Sequence, residues 1–409
     1  MTALRIIHVA DIHLGFTGPS ALTVTDGVDA GRSLRETDIE RAVRWLADAI
    51  VTATPAVHLL VIAGDLFHRA NPMPRAVTAA AEFVSTLHAA GIEVVIIEGN
   101  HDAPVTPLHG SPLTYLESLG AHVVQGNEAR IIDAKAWRTD LLQNHVIVHA
   151  VPYGALKGSE LSNLQPVDGL INLLVAHGRV QGETRVNDPR PISSIPSDLV
   201  SKDWDYVALG DAHAHNSAPL ARSNARYAGS LEALTFSESR TYPLTDDDPY
   251  AHRGALDIRV SNDRSATVTS FLYGDGRPLL RLSPINADGK TASEVTALID
   301  EATRDLPADA LVQLEIQHCP STLYTQLNHQ ELQSLRQRAR HLDLIWRLYD
   351  DEVLQSETAP AADSLPDQWM AYVREHVEND IERTWIETTG IRRLLEARAA
   401  LERAQEDGI

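Results

Sequence analysis

Six short apolar runs, most of them followed directly by polar residues, constrain the fold of this 409-residue chain more than any other feature of its sequence. The runs are rich in valine and isoleucine and read RIIHVA, VHLLVIA, VVII, HVIVHA, INLLVA and YVAL. Runs of this kind predict strands that are buried on both faces. Between the early runs, Ile39, Val43, Leu46 and Ile50 recur at helical spacing. This alternation predicts an α/β sandwich in which ligands gather beyond the carboxyl ends of the strands.

The first two strand ends carry residue types that bind metal ions. Asp11 and His13 follow RIIHVA and stand two apart, so in extended backbone they lie on one side and could hold a single ion. Asp65 follows VHLLVIA and a glycine, and its two carboxylate oxygens could bridge two ions. Taken alone, each pattern also fits an ordinary surface turn.

The next strand ends repeat this arrangement. Asn100 follows VVII and can offer its amide oxygen to a metal, whereas its neighbour His101 could face the substrate and donate a proton. In that reading Asp102 fixes the tautomer of His101. The alternative is an Asx turn with a capping histidine. His177 follows INLLVA and could equally be a histidine whose hydrogen bonds are satisfied at a strand end.

Asp211 and His213 follow YVAL and stand two apart, like the first pair. The coincidence at five strand ends favours one metal site over five unrelated turns. Two ions about 3.5–4 Å apart would activate a bridging water and neutralise phosphate oxygens. Because Cys319 is the single cysteine, the site has no thiolate cluster, and oxygen-rich ligands favour manganese or magnesium over structural zinc. The residues therefore predict a metal-dependent phosphoesterase.

Composition limits the partners and the location that we expect. The formal net charge of −21 argues against an overall basic surface that would coat nucleic acid, although bound cations would supply local positive charge that this count omits. The single cysteine excludes a disulfide framework and suits the cytoplasm. No stretch approaches the roughly 20 apolar residues that span a bilayer, so we expect no membrane partner.

The pattern changes after the catalytic region. Ser237–Arg253 reads as a long loop, and the alternating segments ALDIRVS and SATVTSFLY predict a hairpin. Beyond Gly276, a helix over Ala292–Thr303, a strand at ALVQLEIQ and a helix over Glu331–His341 predict a small α+β domain. The acidic segment before Pro366 reads as a linker. The predicted divisions are 1–276, 277–348, 349–366 and 367–409.

The order Asp-x-His, Gly-Asp, Gly-Asn-His-Asp, His-Gly and Gly-Asp-x-His resembles that of the calcineurin-like metallophosphoesterases, over roughly residues 5–240. Within that superfamily, GDLFHRANPMPRAV at 64–77, EGNHD at 98–102 and YAGSLEALTFSE at 227–238 are similar to the SbcD-type DNA-repair nucleases. The resemblance implies an α/β fold, a two-sheet metallophosphoesterase sandwich flanked by helices, with a small α+β capping domain and a C-terminal helical tail.

The resemblance also implies roles for single residues. One ion would be held by Asp11, His13, Asp65 and His213, and the other by Asp65, Asn100, His177 and Asp211. His101 would protonate the leaving sugar oxygen, and His68 would help to position the phosphate. The ions would be manganese, with magnesium as the alternative.

The partners implied by the resemblance are DNA and an SbcC-type coiled-coil ATPase, on which the C-terminal helices would dock. Trp369, Val373, Val377, Ile381 and Trp385 step by four along one helix face, which fits such docking and equally fits packing against the chain's own cap. A homodimer through helices of the catalytic domain is a further expectation from the resemblance.

One position departs from the resemblance: the family usually has histidine where this chain has Asp211. A carboxylate can still coordinate, but it adds negative charge and a harder ligand, which weakens phosphate attraction and alters metal preference. The leading hypothesis is a manganese-dependent DNA nuclease, with exonuclease and endonuclease activity, in DNA repair and recombination. The alternatives are a small-molecule phosphodiesterase or nucleotidase, and a noncatalytic scaffold for DNA ends or the ATPase in which Asp211 impairs the second ion.

Overall fold

The computed structural model describes residues 4–18, 22–104, 110–133, 137, 146–182, 194–242, 252–261, 263–274 and 276–349. Within these ranges the strands form three sheets with helices against them. The α/β sandwich predicted from the apolar runs is confirmed, since each of the six runs forms a strand. The predicted linker and helical tail lie outside the described residues.

The first sheet has six strands in the order β12-β11-β1-β2-β3-β4. Neighbouring strands from β1 to β4 run parallel, and β11 joins β1 antiparallel as one arm of the predicted hairpin with β12. The strands are β1 (Leu4–Val9), β2 (Leu59–Ile62), β3 (Glu93–Ile97), β4 (His122–Val124), β11 (Gly254–Val260) and β12 (Ala266–Leu272).

The second sheet has five strands in sequence order, and all of its pairs are parallel except the first. Its central strands are the apolar runs that precede His177 and Asp211, so the two residues leave the sheet at the same edge. The strands are β5 (Arg130–Asp133), β6 (Val146–Val151), β7 (Ile171–His177), β8 (Tyr206–Gly210) and β9 (Ala225–Tyr227).

Alternation along the strands divides the apolar side chains between two layers. Ile6 and Val95 of the first sheet belong to one buried cluster with Val148 and Val175 of the second, so the two sheets pack face to face. Ile7, the neighbour of Ile6, belongs to a different cluster that includes the apolar faces of the flanking helices. The strands are therefore apolar on both faces because each face meets a different layer.

Helices cover the outer faces of the sandwich. The predicted helix around Ile39 is α1 (Leu34–Val51), whose first turn is capped by the Ser33 side chain, which accepts a hydrogen bond from the backbone of Glu36. Pro74 opens α2 (Pro74–Ala89), where its missing N–H costs nothing because the first helical turn has no internal acceptor. Two single-turn helices follow, α3 (Thr114–Glu117) and α4 (Ser197–Val200).

The third sheet has its own buried apolar cluster, with Leu314 and Ile316 among its fully buried members. β15 pairs in parallel with β13, β14 and β16, and β13 pairs in parallel with β10. The elements are β10 (Arg240–Tyr242), β13 (Leu279–Leu282), β14 (Ile285–Asn286), α5 (Ala292–Thr303), β15 (Leu311–Pro320), α6 (Ser321–Gln326), α7 (His329–Arg336) and β16 (His341–Tyr349).

Two expectations for this region were wrong in detail. The predicted helix over Glu331–His341 ends at Arg336, and His341 begins β16, where Leu342 and Leu344 pack into the third core. The segment Ser237–Arg253 is not all loop, because Arg240–Tyr242 pairs with β13. A three-residue strand whose partner lies some forty residues away has no local sequence signal. The domain boundaries drawn from the sequence stay a prediction.

A buried ionic network joins the third sheet to the sandwich. The guanidinium of Arg277 donates to both carboxylate oxygens of Asp38, at 2.9 and 3.1 Å, and Arg35 donates to the same carboxylate at 2.7 Å. Arg35 also reaches Glu232 at 2.9 Å. Since Asp38 is fully buried, its charge depends on these two arginines and on Arg41, which lies 3.4 Å from its Oδ1 atom.

Replacing Arg277 with alanine is expected to lower the free energy of unfolding by about 1–3 kcal/mol, because the buried carboxylate of Asp38 loses one of its three arginine partners, the others being Arg35 and Arg41. Urea unfolding followed by circular dichroism would measure it. Arg304→Ala, which removes an arginine from an exposed pair with Asp300, is the matched control and should cause no measurable change. Equal stability of the two variants would contradict the assigned importance of the network.

Among the described residues, every helix is too short or too polar to cross a membrane.

Candidate metal centre

The loops that follow β1, β2, β3, β7 and β8 meet at one edge of the sandwich. The backbone N–H of Asp11 donates to the carbonyl of Gly64 at 3.1 Å, and that of His13 donates to the carbonyl of Asp65 at 3.0 Å. These bonds tie the first loop to the second. Asp11, His13, Asp65 and Asp211 all have positive φ, at 52°, 54°, 52° and 95°. Non-glycine residues in this conformation are strained and cluster at functional sites.

Glycines beside the predicted ligands are required by close approach. A Cβ on Gly99 would lie 2.1 Å from the Oδ1 atom of Asp65, and a Cβ on Gly64 would lie 2.2 Å from the Nδ1 atom of His177. Both separations are far below van der Waals contact. The Gly-Asp and Gly-Asn-His-Asp patterns therefore reflect packing between loops as well as chemistry.

One group of donor atoms is formed by Asp11, Asp65 and His177, whose ligand atoms lie within 4.8 Å of one another. All three residues are buried. The Nε2 atom of His177 lies 3.0 Å from the Oδ1 atom of Asn100 and 3.5 Å from the Oδ2 atom of Asp65. The structure thus brings Asn100 to this group, as the sequence predicted.

A second group is formed by Asp11, His13 and His213, again within 4.8 Å. The Nε2 atoms of His13 and His213 face each other at 3.3 Å, and the Oδ2 atom of Asp65 lies 3.7 Å from the Nε2 atom of His13. The other oxygen of Asp65 accepts a hydrogen bond from the backbone of His101 at 2.8 Å. Asp65 is therefore fixed through Oδ1 while its Oδ2 stands between the two groups.

Two histidines have their Nδ1 atoms held by acceptors, which leaves Nε2 to bind. His177 Nδ1 lies 2.8 Å from the carbonyl oxygen of Ala63, and His213 Nδ1 lies 2.8 Å from the Oε1 atom of Glu238. A carbonyl or carboxylate can only accept, so each Nδ1 carries the hydrogen. Histidine ligands of metals are usually held in this way.

The negative charge of the buried carboxylates must be balanced by positive charge within the site. Burial raises the pKa of Asp11 to about 6, against the lowering effect of His213 and His177. Burial alone would lower the pKa of His177, but the carboxylates of Asp65, Asp11 and Asp211 outweigh it and raise the value to about 10. Without a cation, a proton on His177 balances the acidic charge. A divalent cation would balance the same negative charge, so this set of donor atoms fits metal ions.

His101 and His68 lie together beside the second group. The Nδ1 atom of His101 is 2.8 Å from the carbonyl oxygen of His68, and the two rings stack with their centres 5.1 Å apart. Their ligand atoms and those of His13 lie within 4.8 Å of one another. Burial, His101 and Arg69 lower the pKa of His68 to about 4, so its ring is neutral at neutral pH.

The expected role of Asp102 needs correction. Its carboxylate accepts hydrogen bonds from the backbone N–H groups of Leu66, Phe67 and Gly99, at 3.2, 2.8 and 3.0 Å. The group that faces His101 Nδ1 is the carbonyl of His68 instead. The reason is that Asp102 is fully buried behind the loop, where its oxygens accept hydrogen bonds from three backbone amides. Asp102 therefore positions the loops that carry Asp65 and His101.

The carboxylate of Asp211, unlike those of Asp11 and Asp65, is paired with an arginine side chain. The Nε atom of Arg179 donates to its Oδ2 atom at 2.6 Å. The backbone N–H of Asp211 donates to both oxygens of Asp11, at 3.0 and 3.1 Å. Asp211 thus lies next to the donor groups but belongs to none of those found among the described residues.

Sequence reasoning missed Glu238 and Arg179. Glu238 ends the motif YAGSLEALTFSE, whose resemblance to the nucleases implied no role for the glutamate. Arg179 lies two residues beyond His177, so its nearness to the site could have been expected from the sequence, but its pairing with Asp211 could not.

A Glu238→Gln variant is expected to bind manganese about 10–100-fold more weakly, because His213 loses a charged acceptor that raises its basicity. The amide can still accept from Leu234, whose N–H donates to Oε2 at 3.0 Å, so the local fold should persist. Isothermal titration calorimetry would measure the affinity. Glu301→Gln, an exposed glutamate with the same loss of charge, is the control. Equal affinities in the two variants would rule out this role for Glu238.

Buried carboxylates and imidazoles at the strand ends of a two-sheet α/β sandwich define a metallophosphoesterase. The model of the calcineurin-like phosphoesterase family matches residues 4–243, and the chain belongs to that family.

Several curated relatives have sequences similar to this chain. The SbcD subunit of the nuclease SbcCD of Bacillus subtilis is 25% identical over 362 residues, which are 81% of this chain and 83% of that protein. "DNA double-strand break repair protein Mre11" of Methanopyrus kandleri is 26% identical over 278 residues, covering 65% of this chain and 55% of the relative. The Mre11 protein of Aeropyrum pernix is 33% identical over 250 residues, covering 58% and 56%. The archaeal matches thus span only about half of those relatives.

Proposed function

We propose that this chain is a metal-dependent nuclease that hydrolyses DNA phosphodiester bonds, as exonuclease and endonuclease, in DNA repair and recombination. The observation that carries the proposal is the position of Asp65. One of its oxygens stands between two donor groups that also share Asp11. Relatives named as a nuclease subunit and as double-strand break repair proteins support DNA as the substrate.

The proposed ligands are those predicted from the sequence other than Asp211, whose carboxylate is paired with Arg179. Asp11, His13, Asp65 and His213 would hold one ion, and Asp65, Asn100 and His177 the other. Two bound ions, manganese or else magnesium, would activate water and neutralise the phosphate oxygens. Glu238 and the carbonyl of Ala63 orient the two histidines that face the ions.

His101 is the proposed proton donor to the leaving sugar oxygen. Its Nδ1 atom is held by the carbonyl of His68, so the ring is fixed and Nε2 is the nitrogen left to act. The neutral His68 ring, stacked on His101, is positioned to contact a phosphate oxygen without competing for the proton. Asp102 keeps both loops in place through three backbone amides.

An SbcC-type ATPase is the proposed partner, and the name of the Bacillus relative as a subunit supports it. The proposed docking segment, the tail from 367 to 409, lies outside the described residues. The homodimer and the cytoplasmic location stay predictions.

Manganese-dependent cleavage of end-labelled linear DNA, compared with cleavage of bis(p-nitrophenyl) phosphate, tests the proposal. We expect the chain to release label only when manganese is present, and to stop when the ion is chelated. Hydrolysis of the small ester alone, even with the ATPase added, would assign the chain to the small-molecule phosphodiesterases. Loss of both reactions would favour the noncatalytic scaffold.

A further inference from the structure

Arg179 occupies a fixed place at the rim of the candidate metal centre. It stands two residues after His177, and its side chain is 25% exposed. Its Nε atom donates to the Oδ2 atom of Asp211 at 2.6 Å, and its Nη2 atom donates to the backbone carbonyl of Asp211 at 2.7 Å. Asp211 in turn donates its backbone N–H to Asp11, so the guanidinium is one residue removed from a central carboxylate.

Hydrogen bonds also fix the backbone at Arg179 and at the next residue, Val180. Its carbonyl accepts from the N–H of Ile195 at 2.7 Å, and the next N–H, of Val180, donates to the hydroxyl of Tyr227 at 2.9 Å. The centre of the Tyr227 ring lies 5.9 Å from the Cζ atom of Arg179, a cation–π contact. An arginine side chain that is already fixed in the free protein loses less conformational entropy when it binds a ligand.

The two hydrogen bonds to Asp211 use two of the five N–H groups of the guanidinium. Among the described residues, the Nη1 atom meets no hydrogen-bond acceptor. A guanidinium remains charged at any ordinary pH, and its fork of N–H groups matches phosphate oxygens. We propose that Arg179 binds a phosphate oxygen of the substrate, and that the Asp211 carboxylate positions this guanidinium instead of coordinating a metal ion. The inference rests on the proposed phosphoesterase function.

Three observations separate Asp211 from the two carboxylates proposed as ligands, those of Asp11 and Asp65. Its side chain is 23% exposed, whereas those of Asp11 and Asp65 are 0% and 3% exposed. Its atoms lie in none of the donor groups found in the described part of the chain. Its charge is already neutralised by Arg179. The pair therefore adds no net negative charge at the place where a phosphate must enter, which removes the objection raised by a carboxylate at this position.

Two measurements on the full chain test the inference: manganese stoichiometry, and the affinity of the manganese-loaded chain for inorganic phosphate, both by isothermal titration calorimetry. For Arg179→Ala we expect an unchanged number of ions and phosphate binding weakened about tenfold or more, since a charged hydrogen-bond donor is lost. Arg179→Lys should recover only part of the affinity, because it cannot bond both Asp211 and phosphate. Arg304→Ala, with the same loss of charge, should behave as the unmodified chain.

Asp211→Ala and Asp211→Asn separate positioning from coordination. We expect both to keep the ion stoichiometry, with phosphate affinity reduced more by alanine than by asparagine, which still offers Arg179 an acceptor. Loss of one ion in Asp211→Ala would make Asp211 a ligand and overturn the inference. Unchanged phosphate affinity in Arg179→Ala and Arg179→Lys, or no phosphate binding by the unmodified chain, would overturn it as well. Circular dichroism of each variant confirms folding.

These measurements also distinguish the two proposals. If the chain cleaves neither DNA nor the small ester but its phosphate affinity depends on Arg179, the inference stands and the nuclease proposal fails. If DNA is cleaved and phosphate affinity is indifferent to Arg179, the reverse holds.

Discussion

An Asp65→Ala variant is expected to lose manganese binding at both donor groups, with affinity reduced by more than about 100-fold and phosphoester hydrolysis falling below detection. The reason is geometric: Asp65 Oδ2 lies 3.7 Å from the Nε2 atom of His13 and 3.5 Å from that of His177. By contrast, a change at a residue that belongs to one group only, such as His177 or His213, should leave the other group able to bind manganese. Calorimetric titration of manganese, with hydrolysis of DNA measured in parallel, provides the test.

Two further variants make this result specific. Asp65→Asn keeps an acceptor for the N–H of His101 but removes the charge, so it should also lose the ions while preserving the loop. Asp26→Ala removes an exposed aspartate and should bind manganese as the unmodified chain does. Retention of one tight ion by Asp65→Ala would show that the two groups do not share this carboxylate.

A His101→Ala variant is expected to lower the rate of DNA cleavage by about 10²–10⁴-fold, the contribution of a positioned general acid, while the manganese stoichiometry is unchanged. The leaving sugar oxygen is a poor leaving group without a proton. A nitrophenolate needs no proton to leave, so hydrolysis of bis(p-nitrophenyl) phosphate should fall much less.

The comparison of the two substrates identifies what His101 does. A large loss on DNA with a small loss on the activated ester indicates proton donation. Equal losses on both substrates would mean that the ring serves binding or structure. His329→Ala, which removes an exposed histidine of α7, is the matched control and should affect neither reaction.

The sequence predicted the ends of the strands well, for a physical reason. A strand buried between two layers must be apolar on both faces, so the first polar residue after each run marks the edge of the sheet. Asp11, Asp65 and His177 were found in this way, and each lies where its strand predicts. The fold class followed from the same pattern, and the family was expected from the resemblance of the motifs at the strand ends; both are confirmed.

The partners of these residues could not be read from the sequence. Glu238 approaches His213 across 25 residues, and Arg179 approaches Asp211 across 32. Such pairs depend on how loops from different strands pack, which no local period records. Asp102 was misread because adjacency to His101 suggested contact, whereas the turn directs its carboxylate to backbone amides behind the loop.

The short strand β10 connects the third sheet to the segment that carries Glu238. It begins at Arg240, two residues after Glu238, and it pairs with β13 in the third sheet. Arg281, in β13, also donates to the carbonyl of Phe236 at 2.6 Å. A displacement of the third sheet would therefore shift the segment that carries Glu238, whose carboxylate accepts the hydrogen bond that orients His213. The position of the third sheet and the orientation of the His213 ring are therefore linked through a strand of three residues.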